Sequence, residues 1–254
     1  MNESMSKKLT DYFDEMIKLT PDFKKKTYSE AFETMNITYK PLFTEIMAMF
    51  SDMTDEESEK LVKEVAFVIP NYAKSQMNEM NKRTQEKRAI DYNLTMAVYV
   101  IPGLSYNRNE KLIAIAKSMV EQWNEIKVTN LSLSYSNYED IDGGFKRKLC
   151  FITTAVCEGL GKADDCYELN TLREYRDNYL MSIEEGHNII EEYYDIAPAI
   201  VMMMNMENNN ELYSDLYRGY IKPCIKDIEM QDNENCKLKY INMVESLKSR
   251  YYTS

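Results

Sequence analysis

Apolar positions recur three and four residues apart along most of this 254-residue chain, the spacing that lines one face of an α-helix. The pattern predicts amphipathic helices over residues 10–19 and 28–50, separated by Pro21 and Asp22, with Pro41 either kinking the second or dividing it. Thr54-Asp55-Glu56-Glu57 has the form of a capping box and opens a helix through Leu61, Val65 and Ile69 that should stop at Pro70. Residues 71–89 lack a breaker and are rich in Lys, Glu, Gln, Met and Arg, so they read as helical too. The apolar run 91–101 fits a buried helix or a strand; helix is the expectation, because nothing nearby supplies a strand partner. Residues 110–123 carry the cleanest stripe of the first half, from Leu112 to Trp123.

The pattern changes after that stripe. Residues 128–138 alternate at Leu131, Leu133 and Tyr135 with little charge, and Asp142-Gly143-Gly144 breaks the chain before Phe145-Lys146-Arg147-Lys148. These features divide the chain into an N-terminal helical region, 1–127, a linker, 128–147, and a C-terminal module, 148–254. Five helices are predicted in the module: 151–159, 164–181, 184–195 continuing beyond Pro198, 211–229 and 234–251, with Ser182-Ile183-Glu184-Glu185 as a second capping pattern. The fold class expected is all-α, a multi-helix bundle whose N-terminal region is packed with or linked to this five-helix module.

Composition narrows the function classes. A 44% hydrophobic chain with 7 Gly and 6 Pro can bury a core and has few hairpin turns. Its net charge of -11 repels phosphate backbones and anionic lipids, so no nucleic-acid partner is expected. The longest apolar runs, 94–101 and 196–204, fall short of the roughly 20 residues of a membrane span. The first residues lack the apolar stretch of a secretory signal, and five cysteines are an odd number for a disulfide framework; both favour reduced thiols in the cytoplasm. On that expectation the sequons at Asn36, Asn93 and Asn130 carry no glycan.

Candidate chemistry concentrates in the module. All five cysteines, Cys150, Cys157, Cys166, Cys224 and Cys236, lie there, and they are the candidate ligands for a thiolate-bound metal, although no compact CxxC spacing is present. Cys150 and Cys157 stand two helical turns apart, about 10 Å, too far to share one ion on a straight helix, whereas Cys166 follows a glycine turn that could return it to Cys157. Buried thiols acting as small hydrophobes are the plainer reading. His187 is the only histidine available to a nucleophilic cysteine, and Glu184-x-x-His187 forms half of a di-iron pattern whose second half is missing. Arg173 is expected to pair with Asp177, or Arg176 with Asp164 or Asp165, in a structural ion-pair network. Met202, Met203, Met204 and Met206 with the nearby tyrosines fit a core or an adaptable binding surface, and Lys24-Lys25-Lys26 and Lys146-Arg147-Lys148 read as solvated.

The string Cys150-Phe151-Ile152-Thr153-Thr154-Ala155-Val156-Cys157 resembles the opening of the CFI-box C-terminal domain, a bacterial family, and in particular its cysteine-richer clostridial branch. The likeness continues through Lys162, Asp164-Asp165-Cys166-Tyr167-Glu168-Leu169, Leu172-Arg173-x-Tyr175-Arg176-Asp177 and Tyr193-Tyr194-x-Ile196-Ala197-Pro198. It extends more weakly over Tyr220-Ile221-Lys222-Pro223-Cys224 and Cys236. Relatives with a CFIATAAYG-like opening lack cysteines matching Cys157 and Cys166, which argues against a metal role common to the family. The resemblance implies a shared fold more than a shared activity, and it marks Arg173, Arg176 and Asp177 as the polar residues to test first. The function expected is a binding or scaffolding protein for a protein partner or small ligand; the alternative is a thiol-dependent enzyme or metal-thiolate redox protein using Cys150, Cys157 and Cys166.

Overall fold

The computed structural model of the chain describes residues 3–146, 150–207 and 209–251. The basic run Lys146-Arg147-Lys148, apart from the Lys146 backbone, lies outside the described residues. Eleven helices and no strand occur among the described residues, so the chain is an all-α multi-helix bundle. It divides into two compact units, Met1–Gly144 and Phe145–Ser254.

The first unit holds α1 (Glu3–Leu19), α2 (Tyr28–Ala48), α3 (Asp55–Glu79), α4 (82–105), α5 (Glu110–Glu125) and α6 (Tyr138–Lys146), the last of which runs to the division. In α1, Met5, Leu9, Tyr12, Phe13 and Met16 fall on one face and are buried, which carries the helix seven residues upstream of the predicted start at residue 10. Phe13 meets the rings of Tyr92 and Trp123 edge-on, with centroids 5.2 and 6.2 Å away. The capping box at Thr54 and Glu57 opens α3 as the sequence predicts.

Pro70 does not stop α3. The helix runs on to Glu79, because the apolar stripe continues through Ile69, Ala73 and Met77, all buried; the break falls at Asn81, whose side chain caps α4 by accepting from the Thr84 N–H. Pro41 likewise leaves α2 unbroken.

The apolar run that could have been a strand is the centre of α4, and it is helical with one widened turn, Met96–Val100. There the Ile101 N–H reaches back five residues to the Met96 carbonyl, leaving the Ala97 carbonyl without its helical donor. Pro102 has no N–H to offer the Val98 carbonyl. Side-chain hydroxyls take over both acceptors: Ser136 donates to Ala97 O at 2.5 Å and Tyr28 to Val98 O at 2.8 Å, while Tyr12 donates to Tyr99 O at 3.3 Å. The wide turn is therefore the point to which α1, α2 and the segment before α6 are tied.

The sequence places that segment in a linker. Its alternation is real, with Leu133 buried between exposed neighbours, but the Asn124 carboxamide stands in for a strand partner: it accepts from Leu133 N–H at 2.9 Å and donates to Leu133 O at 2.8 Å. Upstream, the Asn93 Oδ1 accepts from both Trp123 Nε1 (3.0 Å) and Thr129 Oγ1 (2.7 Å). Residues 128–138 are thus a strap fixed to the first unit.

The second unit holds α7 (Phe151–Gly159), α8 (Tyr167–Asn178), α9 (Glu184–Glu207), α10 (210–229) and α11 (Asn233–Tyr251). Short and apolar, α7 packs against α9 and α10, with Phe151, Ile152, Ala155, Val156 and Cys157 buried. Packing of α10 along α11, and of α9 on α11, closes the bundle. Pro198 is accommodated within α9, and Met203, Met204 and Met206 are core residues there. Ser182 is not a helix cap: it belongs to a short turn before Ile183, and its hydroxyl donates to the Tyr179 carbonyl. No helix among the described residues is long and apolar enough to cross a membrane.

Candidate functional site

Residues of the second unit singled out in the sequence gather around α7. At its C-terminus Gly161 takes a left-handed conformation (φ 71°), Lys162 N–H bonds to Cys157 O at 2.9 Å and Gly161 N–H to Glu158 O at 2.8 Å. This turn reverses the chain and sets Cys166, at the start of α8, against Cys157. Cys157 is fully buried and Cys166 half-buried, packed against the cluster that holds Cys157. Burial, then the hydrogen bond with Cys166, pushes the Cys157 thiol up to about 12, so it is protonated at neutral pH.

Cys150, just before α7, belongs to the same cluster and packs with Cys157 and Leu169. Its sulfur accepts from Arg176 Nη1 at 3.6 Å, and the same nitrogen donates to Tyr194 OH at 3.1 Å. Burial raises the Cys150 thiol, against the pull of the Arg176 guanidinium. Beside it is a cavity of about 30 Å³ lined by Leu172, Tyr175, Ile189, Tyr193 and Tyr240. That is room for about one water molecule, not for a substrate. Cys150 is therefore a packing thiol in this conformation.

Cys224 and Cys236 form a separate pair across the α10–α11 hairpin, both buried, with the Cys224 thiol donating to the Cys236 carbonyl at 3.7 Å. Its hydrogen bond with Cys236 and burial raise Cys224. All five cysteines are free thiols. Among the described residues no three His, Cys, Asp or Glu side chains come together as a metal-holding group, so the five sulfurs treated as one ligand set in the sequence are distributed over two groupings.

The expected ion pairs are exchanged. Arg173, not Arg176, reaches Asp164, donating to its carbonyl at 2.9 Å and its carboxylate at 2.7 Å. Arg176, not Arg173, holds Asp177, through Nε at 2.7 Å and Nη2 at 2.9 Å. The reason is the turn before α8, which brings Asp164 alongside Arg173 and leaves Arg176 facing Cys150 and Tyr194. Tyr193 completes the set by accepting from the Ile152 N–H at 2.9 Å, one of the donors that a helix start leaves unpaired. His187 and Glu184 are both exposed on α9.

The sequence did not single out a second site on the same unit, an open groove of about 940 Å³ formed by α8, α10 and α11. Glu168 anchors one wall, accepting from Lys162 Nζ at 2.8 Å and Tyr217 OH at 2.6 Å. Burial works against its ionisation, but those two hydrogen bonds outweigh it and hold the carboxyl down at about 2. Asp227 is paired with Lys239 at 2.5 Å, and Glu229 accepts from the Tyr167 hydroxyl at 2.8 Å. Lys222 and Lys226, one turn apart on α10 and exposed, have no ion-pair partner among the described residues. Apolar surface is exposed beside them at Tyr167 (59%) and Met230 (69%). The only sequence trace of this groove was the spacing of Lys222, Lys226 and Met230 along one helix face.

The fold and these sites define a two-unit, all-α protein with a thiol-bearing second unit and an open, partly cationic groove. Compared with family models, curated proteins and solved structures, the chain matches none.

Proposed function

We propose that this chain is a binding protein of a reducing, cytoplasmic compartment whose second unit is a CFI-box-type module, and that the groove between α8, α10 and α11 takes an acidic, amphipathic segment of a protein partner. The module reading is supported by the way the residues that carry the resemblance meet: Cys150 with Arg176 and Tyr194, Cys157 with Cys166, Arg173 with Asp164, Tyr193 with Ile152. Five free thiols favour the reducing compartment.

The observation that carries the binding reading is the charge arrangement of the groove. In a chain of net charge -11 the groove's Glu168 and Asp227 are paired with lysines and its other carboxylates, Glu229 and Asp232, sit at and just past the C-terminal end of α10, while Lys222 and Lys226 remain open further up that helix beside exposed Tyr167 and Met230. Apolar anchors flanked by unpaired cations suit a helix with apolar residues at i, i+3 or i+4 and carboxylates beside them.

Panning a random peptide library against the purified chain tests this. Enriched peptides should be acidic with helically spaced apolar anchors, and Lys222→Glu with Lys226→Glu should weaken them at least about tenfold, roughly 1.4 kcal/mol. Enrichment of neutral or basic peptides, or affinity indifferent to the two reversals, would rule the reading out.

A further inference from the structure

We infer that Cys157 and Cys166 form a thiol–disulfide exchange site that reacts with low-molecular-weight disulfides, with Cys166 as the attacking thiol and Cys157 as the resolving one. Position assigns the roles. Cys166 is half-buried at the first turn of α8 and open to a small reagent, whereas Cys157 is fully buried in the cluster against which Cys166 packs. The turn that brings them together is pinned by two backbone hydrogen bonds and by Gly161, so the pair is held by the fold and does not depend on a chance approach of side chains.

The chemistry balances without a metal. Cys166, as its thiolate, attacks one sulfur of R–S–S–R, forming Cys166–S–S–R and expelling RS⁻. Cys157 gives its proton to solvent base and attacks the Cys166 sulfur, forming the Cys157–Cys166 bond and expelling a second RS⁻. Two electrons pass from the protein dithiol to the oxidant, and the two cysteine protons end on the released thiolates as two RSH.

Cys224 and Cys236 make an internal control. They too are neighbours, but both are at most 1% exposed, so a small disulfide reaches them only after the bundle opens.

The test is to treat the folded, full-length chain with glutathione disulfide, quench with acid, and map the thiols by peptide mass spectrometry. A peptide linked through Cys157 and Cys166 should appear, with two glutathione thiols released per link, at least about tenfold faster than any modification of Cys224 or Cys236. Cys157→Ser should arrest the reaction as a stable mixed disulfide on Cys166, and Cys166→Ser should leave Cys157 unmodified. Three results would overturn the inference: a wild-type chain that stops at the Cys166 mixed disulfide, a Cys166 that does not react, or modification of both pairs at one rate. The wild-type readout requires neither variant to fold.

Discussion

Gly186 lies where α9 starts and where the preceding turn folds back over it. A Cβ built there would sit 1.7 Å from the Leu180 carbonyl oxygen, and that oxygen is backbone and cannot step aside. Gly186→Ala should therefore cost about 3 kcal/mol or more, at the upper end of overpacking effects, read as a lowered midpoint in urea unfolding. An unchanged midpoint would mean the turn at 180–182 is not held against α9. Glu168 makes a prediction of a different kind, in pH. Its folded value, about 2, is below the ordinary 4.5, so the stability it contributes is present in full above the ordinary value and is lost as pH falls from there through about 2. Discounted for solvent screening of a pair that includes a partly exposed lysine, that contribution is about 1 kcal/mol. Glu168→Gln should be less stable than wild type by this much near neutral pH, and the gap should close in acid; a gap that stays constant across the range would show that Lys162 and Tyr217 do not stabilise the charge.

At the scale of elements, the chain handles two of its prolines by widening the helix. One wide turn, Met96–Val100, ends two residues before Pro102, and another, Tyr217–Ile221, ends two residues before Pro223. Each relieves the clash between the proline ring and the carbonyl four residues earlier, at Val98 and Gly219. Gly219 is exposed, so water can satisfy its carbonyl; Val98 is fully buried and depends on the Tyr28 hydroxyl. Tyr28→Phe should therefore cost about 1–3 kcal/mol as a stranded acceptor. In a Pro102→Ala background the backbone gains an N–H at that position to offer Val98, and Tyr28→Phe should cost much less, a coupling of about 1 kcal/mol in a denaturation cycle. Additive effects would mean that the two donors do not compete for that carbonyl. This grammar also explains what the sequence discloses. A stripe such as Leu112 to Trp123 states its helix outright, and the module's helices were legible because Gly161 and the polar turns punctuate them. Pro70 misled, since a proline ends a helix only when no apolar stripe beyond it is worth burying, and Ile69, Ala73 and Met77 continue that stripe. The pairing of Cys157 with Cys166 could be anticipated from the intervening glycine turn. The partners of Arg173 and Arg176 could not, because they depend on the path of residues 160–166. Nor could the groove, whose walls come from three helices far apart in sequence.

At the scale of the whole molecule, each unit has its own core. The first is built around Trp123, Tyr12, Phe13 and Tyr28, the second around α7 with Ile152, Val156, Cys157 and Met204. Each unit exceeds 100 residues, a size at which a single core ordinarily supports independent folding. Trp123 is the only tryptophan, and it is fully buried in the first unit with its indole N–H on Asn93. Tryptophan emission therefore reports the first unit alone, whereas far-ultraviolet circular dichroism reports helices in both. If the units unfold separately, Gly186→Ala should leave the emission midpoint in place and shift only part of the dichroism transition to lower urea, splitting a curve that coincided with emission or widening an existing gap. The reciprocal substitution is Asn93→Ala, which strands the Trp123 N–H and leaves the Thr129 hydroxyl only the Leu131 carbonyl as acceptor, and it should move emission by about 1–3 kcal/mol while leaving the second-unit phase where it was. Parallel movement of both signals in both variants would instead make the chain one cooperative block, with a stabilising interaction that neither core contains by itself.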